Sequence, residues 1–320
     1  MYRRICIMAA SACLLIAVPA ADTVATSIYS RVGNGYKRQR LKDGSFKPEY
    51  YALANGGRIA GTTGDATVDR VTYPQVAEIS MRLLAQQSYR YAQSKEEAKL
   101  LLVLQWGNTI APNGTNYSQD IGQAGRALED LKMFMLENGL DRSLLESRSS
   151  GADPMTQGDA GVGGALKSRF EMAMLQLMAD NQLRDRVNEH NARILGYMDD
   201  LADTNDIRRW AGGGDRYTDL IADVEESRYF IVISAYDFRE LTEKNQKKLL
   251  WQTRVSVRSP GNRFDDSYVA MLKGASKYFG QDSGRLIKGE ESKGTVELGD
   301  LKFLGEVKEL TPTKADKAKK

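Results

Sequence analysis

Two consecutive segments within residues 229–257 carry the clearest strand pattern in the chain. The first, YFIVISA at residues 229–235, is almost continuously apolar and rich in β-branched and aromatic residues, which predicts a strand covered on both faces. The second alternates apolar and polar side chains, which predicts one buried face and one mostly solvated face. The buried face is expected to carry Leu249, Trp251, Thr253, Val255 and Val257. The charged connection between them lacks Gly and Pro and is too long for a two-residue turn, so we expect a longer loop or a single helical turn.

Other apolar runs predict further strands. Residues 100–106, LLLVLQW, read as another buried strand, which we expect to pair with the two strands above. Weaker strand patterns lie at residues 26–32, 49–55 and 294–307. The strand at 49–55 is predicted to end at Gly56-Gly57, and the Gly- and Thr-rich residues 56–70 are predicted to form a loop.

Two helices are predicted to accompany these strands. The first begins at Tyr73-Pro74, because proline suits the first helical turn. Its apolar stripe comprises Val76, Ile79, Leu83, Leu84 and Tyr91. The second begins at Asp265-Asp266, where acidic side chains favour a helix N-terminus, and stops at Gly280.

Residues 117–226 have a different character and predict a helical insertion between two strands of one sheet. A first helix carries Ala124, Leu128, Leu131, Phe134 and Met135 and ends near residues 138–139. A longer helical pattern runs over residues 165–201, and one more short helix is predicted at residues 217–224. The polar middle of the long pattern, at Asp180-Asn181, predicts either a kink or a stretch that projects into solvent.

Together these elements predict an α+β fold: an antiparallel-rich sheet with helices packed on one face and a long helical insertion. The predicted organisation comprises a signal peptide at residues 1–20, the two parts of the α+β domain at 21–116 and 227–310, the insertion at 117–226 and a disordered tail at 311–320. At 320 residues the chain is long enough to bury a substantial core.

The first segment has the pattern of a secretory signal. Arg3 and Arg4 precede a short apolar run, and the small residues up to Ala20 suit cleavage after that position. The expected location is therefore the periplasm or the extracellular space. Both cysteines, Cys6 and Cys13, lie inside this segment, so the processed chain would have no disulfide or thiol chemistry. A lipid anchor at Cys13 is not expected, because the apolar run continues beyond it.

Charge and composition exclude some functions and leave others open. The formal net charge of +3 shows no overall bias toward nucleic acid, and no specific nucleic-acid partner is expected. The basic segment at residues 36–47 suits either a solvated loop or a phosphate-rich polymer. No apolar stretch after the signal is long enough to span a membrane.

The usual catalytic and cofactor patterns are missing. His190 is the only histidine and has no accompanying ligand set, so we expect no metal site and no Ser–His–acid triad. Glycines at 158–164 followed by Lys167-Ser168 depart from the phosphate-loop pattern, because Leu166 stands where glycine is required. Asp199 and Asp203 suit either a solvated helix end or weak cation binding. No catalytic residue and no cofactor is therefore assigned.

The candidate interaction residues are Tyr236, Asp237 and Trp210. Asp237 ends a predicted buried strand, where sites often gather, although the sequence favours capping of the following turn. Trp210 lies in the insertion. A carboxylate-dependent hydrolase would draw on Asp237 together with Asp265 and Asp266.

The order of elements resembles a broad set of uncharacterised bacterial cell-envelope domains, many of them lipoproteins. The resemblance rests on VAEISMRLLAQQSYRYA leading into KLLLVLQW, on LLWQTRVSV, and on the closing helix to YFG. It covers about half of the processed chain. The poor lipidation box and the long insertion depart from that pattern. The resemblance implies a non-enzymatic envelope protein with a partner-binding or assembly role, and a small-ligand-binding module is the alternative.

Overall fold

The computed structural model describes residues 22–61, 64–111, 114–140, 160–205 and 214–293. Within these residues the strands are β1 (Thr23–Val32), β2 (Glu49–Ile59), β3 (Tyr89–Tyr91), β4 (Leu100–Asn108), β5 (Arg228–Asp237), β6 (Leu249–Arg258) and β7 (Ile287–Ser292). The helices are α1 (Ala66–Asp69), α2 (Tyr73–Gln86), α3 (Gly114–Glu137), α4 (Ala160–Leu195), α5 (Met198–Asn205), α6 (Gly214–Glu225), α7 (Phe238–Lys244) and α8 (Phe264–Ser276). The predicted signal peptide, the strands predicted within residues 294–307 and the predicted tail lie outside the described residues.

The strands form one mixed sheet in the order β3-β2-β4-β5-β6-β1-β7. Each neighbouring pair from β4 through β5, β6 and β1 to β7 is antiparallel. The two pairs that involve β2, with β3 and with β4, are parallel. The predicted pairing is confirmed for β5, since Leu104 of β4 lies opposite Ile233, but it is wrong for β6, which pairs with β5 and β1. The α+β class and the predominance of antiparallel pairs are likewise confirmed.

The main core lies between one face of the sheet and helices α1, α2 and α8. Trp251 of β6 is completely buried there and stacks on Phe279, with ring centroids 6.0 Å apart. Helix α2 begins where the sequence predicts, because the side chain of Gln75 caps the residue before the helix and proline occupies its first turn. The buried Val255 and Val257 follow the predicted alternation of β6, but at the start of the strand Leu250 is buried and not Leu249.

The connection after β5 contains the predicted helical turn. Residues Phe238–Lys244 form the short helix α7, which ends at Asn245 with a left-handed backbone conformation at φ 52°. After this connection the chain reverses direction, and β6 pairs antiparallel with β5, as the strand pattern predicts.

Three local predictions are corrected. Gly56 and Gly57 do not end β2 but lie inside it, at a shift of register against β4. A Cβ atom on Gly56 would stand 2.8 Å from the carbonyl oxygen of Leu104, so glycine marks a close approach of two strands there. The segment predicted as a loop contains α1, which is capped by Asp65. Tyr91 does not extend the stripe of α2 but lies in β3.

The insertion between β4 and β5 contributes α3, α4, α5 and α6, and part of it covers the opposite face of the sheet. Ala192, Leu195, Tyr197, Leu220 and Val224 pack there against Phe230 and Val232 of β5. This second layer explains why β5 is apolar on both faces. Asn191 fixes the layer, since its side chain bonds both the backbone of Ile110 and the carbonyl oxygen of Val224.

The long helix of the insertion differs from its predicted bounds. Helix α4 runs without interruption through Asp180, so no break occurs there, and Asp180 and Asn181 are half-buried. The break comes later, at Gly196, where φ is +83° and the chain turns into α5. This break brings the insertion directly onto Tyr29 of β1 and Arg254 of β6.

Candidate functional site

Helices α3 and α4 form an antiparallel helical hairpin. Leu131 and Met135 of α3 are buried, and Leu166 and Phe170 near the start of α4 pack against them. At the other end of the pair, Asp120 of α3 faces Asp180 of α4. Gly163 allows the two helices to meet closely, because a Cβ atom there would lie 2.6 Å from the ring of Phe134.

The hairpin extends away from the sheet. Helix α4 is held at its base by Arg184, whose Nε and Nη2 donate to the carboxylate of Glu225 at 2.6 and 2.7 Å. No side chain from residue 164 to residue 190 of α4 is buried. At 1.5 Å per residue, Phe170 lies roughly 30 Å along the helix axis from the buried Asn191. The hairpin therefore presents a long, accessible surface.

A stripe of apolar side chains on α4 has no covering layer among the described residues. Met172, Leu175, Met178 and Leu183 are 70%, 66%, 54% and 61% exposed, and the exposed Ala179 lies between them. We call these five residues the outer stripe. Met172, Leu175, Ala179 and Leu183 follow one another at intervals of three or four residues, which places them on one helix face, roughly opposite the side that packs on α3. Met178, three residues after Leu175, lies at the edge of this face.

The rest of the hairpin strengthens this pattern. Eight of the eleven large apolar side chains that are exposed in the described residues lie on α3 and α4. Besides the outer stripe they include Ile121, Met133, Leu136 and Val162. Charged residues of both signs, such as Glu171 and Arg186, flank the stripe. An apolar centre with a charged border is the arrangement found at protein interaction surfaces.

A pair of acidic side chains lies inside the hairpin. The carboxyl group of Asp120 is buried and faces Asp180, and their hydrogen bond raises the pKa of Asp120 above its ordinary value. One proton shared between two carboxyl groups explains this direction, because two adjacent negative charges repel each other. The pair connects α3 to α4 and does not open onto the outer stripe.

The structure gives Asp237 a structural role. Its carboxylate accepts hydrogen bonds from the backbone N–H groups of Arg239 and Glu240 at 3.1 and 3.2 Å, so it caps α7. Tyr236 is half-buried on the sheet face that carries Arg254. Trp210, the third candidate interaction residue, lies outside the described residues.

The three carboxylates of the hydrolase alternative are not brought together. Asp237 ends β5, whereas Asp265 lies near Tyr229 at the other end of that strand, roughly 25 Å away at the usual rise per residue. Arg263 and Arg70 bond to Asp265 and lower the pKa of its carboxyl group. A general acid needs the opposite shift, so this group does not suit proton donation.

Other residues singled out in the sequence also take structural or surface positions. His190 is exposed on α4. Arg38, in the basic segment, is buried between the rings of Phe46 and Tyr89, at 3.9 and 4.2 Å from their centroids, and is not available to a polymer. In the part of the chain that the structure describes, no cluster of three or more metal-ligating side chains occurs.

A second candidate site is a cleft between the sheet and the insertion. It has a volume of about 460 Å³ and lies where β1 and β6 meet the junction of α4 and α5. Its lining includes Arg31, Arg193, Arg254 and Asp199. Asp199 is exposed in the first turn of α5, as predicted for a solvated helix end, and its carboxylate accepts hydrogen bonds from the Tyr29 hydroxyl and from Arg31.

Sequence reasoning did not single out the residues of the outer stripe or the arginines of the cleft, although one signal for the stripe was present. The apolar residues of α4 occupy two sides of the helix, and a helix in contact with a single neighbour needs only one apolar side. Leu175 and Leu183 supply the surplus side. The arginines of the cleft carry no such signal, because they are far apart in sequence.

No protein-family model matches the chain, and no curated protein matches it. The resemblance to bacterial envelope domains therefore stays a prediction. Among the helices of the described residues, none combines the length and apolar character required to cross a bilayer.

Proposed function

We propose that this protein is an exported cell-envelope protein, without enzymatic activity, that binds another envelope protein through the outer stripe. The observation that carries the proposal is the exposure of more than half of each of four large apolar side chains on one face of α4. Monomeric proteins rarely leave such contiguous apolar surface in contact with water unless it has a partner. Export is supported by the signal pattern at residues 1–20.

The energy available from the outer stripe fits a reversible contact. Complete burial of a Leu or Met side chain stabilises by about 1.5–3 kcal/mol, so covering what is still exposed contributes roughly 1–2 kcal/mol per residue. The four large side chains would together supply roughly 4–8 kcal/mol. Association itself costs about 4–15 kcal/mol, so the stripe needs the charged border and further partner contacts to give a stable complex.

The shape of the stripe favours an amphipathic helix of a partner protein. From Met172 to Leu183 the stripe is roughly 17 Å long at 1.5 Å per residue, and it is one helix face wide. Ridges of side chains at this spacing pack into the grooves of another helix. A standard interface uses about 20–30 residues on each side, so these few side chains suit a partner helix better than an obligate dimer of this chain.

Site-specific crosslinking in the cell envelope tests the proposal. A photoreactive phenylalanine analogue replaces Leu175 in the full chain, and the same analogue at Leu41, exposed outside the insertion, is the matched control. The Leu175 position is expected to crosslink a different envelope protein, within a segment that carries apolar residues at helical spacing. The Leu41 position is expected to leave that segment unlabelled.

A glutamine variant completes the test. Met172, Leu175, Met178 and Leu183 are changed together to Gln, which keeps helix propensity while removing the apolar face. Purified partner should then lose binding to the variant but not to Leu41→Gln. Full retention of binding would show that the stripe is not the interface, and a crosslink to a second copy of this chain would contradict the choice of partner. Unprocessed full-length chain in the cytoplasm would overturn the proposed export.

A further inference from the structure

The cleft between the sheet and the insertion is a well-defined feature of this fold. Its volume of about 460 Å³ falls in the range typical of small-molecule sites. The lining brings side chains of β1 and β6 together with the end of α4 and the start of α5. Arg254 forms part of its wall, and Met198 and Leu249 add apolar surface.

The joint of the insertion is packed directly on this wall. Gly196 has φ +83°, and a Cβ atom there would lie 2.6 Å from Cδ1 of Tyr29 and 3.0 Å from Cδ of Arg254. Glycine is therefore required for both the backbone conformation and the space. The contact holds the stems of Tyr29 and Arg254 in place, so the cleft is shaped before any ligand enters.

The charges of the cleft are unbalanced. Three guanidinium groups line it, from Arg31, Arg193 and Arg254, against the single carboxylate of Asp199. That carboxylate is already engaged by Arg31 at 2.9 Å and by the Tyr29 hydroxyl. Arg193 is paired outside the lining, with Glu189 one turn away on α4.

Arg254 is the group that lacks a counter-charge in direct contact. Its guanidinium lies 5.9 Å from the ring centroid of Tyr29 but forms no hydrogen bond or ion pair with any residue that the structure describes. Burial lowers the pKa of Arg254, although an arginine remains charged at neutral pH. An anion in the cleft would supply both a hydrogen-bond acceptor and a direct counter-charge to this partly desolvated guanidinium.

We propose that the cleft binds a small organic anion whose carboxylate or phosphate group is held by Arg254, with Arg31 beside it. The planar guanidinium presents a fork of N–H donors that matches the oxygen atoms of both kinds of group. The apolar part of the ligand lies against Met198 and Leu249. This site is separate from the outer stripe and does not depend on the proposed partner.

Calorimetric titration of the purified full-length chain tests the site with three small probes that share a benzene ring. Phenyl phosphate and benzoate carry the two anionic groups, and benzyl alcohol carries none. At least one anion is expected to bind at a single saturable site at low salt, whereas benzyl alcohol is not. Binding of benzoate alone would identify a carboxylate ligand, and binding of phenyl phosphate alone a phosphate ligand.

Variants of the arginine locate the binding. Arg254→Met keeps the length of the side chain and removes the charge, and it is expected to weaken anion binding by roughly tenfold or more. Arg254→Lys keeps the charge without the fork and is expected to bind with intermediate affinity. Arg90→Met, on β3 at the far edge of the sheet, is the control and is expected to bind like the unmodified chain.

Two results would overturn the proposal. One is the absence of binding by both anions at roughly millimolar concentrations. The other is equal affinity of the unmodified chain and Arg254→Met. Thermal unfolding without ligand shows whether Arg254→Met is folded. If Arg254→Met is not folded, the anion affinity of Arg254→Lys is compared with that of Arg90→Met instead.

Discussion

The joint at Gly196 offers a direct test of how the insertion is fixed to the sheet. Alanine is the smallest change that adds a Cβ atom. The left-handed backbone conformation at φ +83° costs an alanine about 1–2 kcal/mol of conformational free energy relative to its ordinary conformations. The added atom would also stand 2.6 Å from Cδ1 of Tyr29, well inside contact distance.

Tyr29 has little freedom to relieve that clash. Its side chain is only 7% exposed, and its hydroxyl is bonded to Asp199. Burial, followed by this bond and the charge of Asp199, raises the pKa of Tyr29 to about 12, so the ring remains a neutral hydrogen-bond donor over the whole neutral range. Overpacking of this kind costs about 1–3 kcal/mol, which brings the expected loss for Gly196→Ala to roughly 2–5 kcal/mol.

Urea unfolding measures this loss from the shift of the midpoint at an unchanged slope. Gly125→Ala on α3 is the matched control, because no neighbouring atom lies within 4 Å of a Cβ atom there and its backbone is helical. The control is expected to gain about 0.5–1 kcal/mol, since alanine favours a helix over glycine. Equal stability of Gly196→Ala and the unmodified chain would refute the proposed packing of the joint.

Two further predictions concern the hairpin. Asp120→Asn removes the repulsion between the carboxylates of Asp120 and Asp180. The pKa of Asp120 is raised in the folded state. The unmodified chain therefore loses stability as the pH rises through that pKa, because Asp120 must then release its proton. The advantage of the variant should grow from pH 4 to pH 7 in urea unfolding curves, and a constant difference would contradict the shared proton. Leu131→Ala, at a fully buried position, should cost about 2–5 kcal/mol. Leu136→Ala, where the side chain is 76% exposed, should change the free energy of unfolding by no more than about 0.5 kcal/mol. Similar losses for Leu131→Ala and Leu136→Ala would show that Leu136 is packed and not exposed.

The elements with strong local patterns were predictable. The alternation through Val255 and Val257 identifies β6, and the proline at the first turn of α2 identifies where that helix begins. Two strands were not predicted. β7 reads IKGEES and has few apolar residues, and it exists because its backbone pairs with β1. β3 has three residues and depends in the same way on β2.

For the candidate sites, too, local sequence pattern predicts one part and tertiary packing decides the rest. Periodicity indicates that Leu175 and Leu166 lie on different sides of one helix, but only packing shows that α3 covers Leu166 and that no described residue covers Leu175. The arginine cleft joins β1, α4 and β6, whose residues are separated by more than 150 positions at its extremes. Local pattern carries no information about such a meeting.

The sequence by itself therefore determined the α+β class, the alternation of the main strands and the position of a helical insertion. The tertiary structure alone decided which apolar face of α4 remains exposed and which arginine lacks a direct counter-charge. The physical reason is that periodicity depends on the geometry of one element, whereas burial and ion pairing depend on what another element places against it.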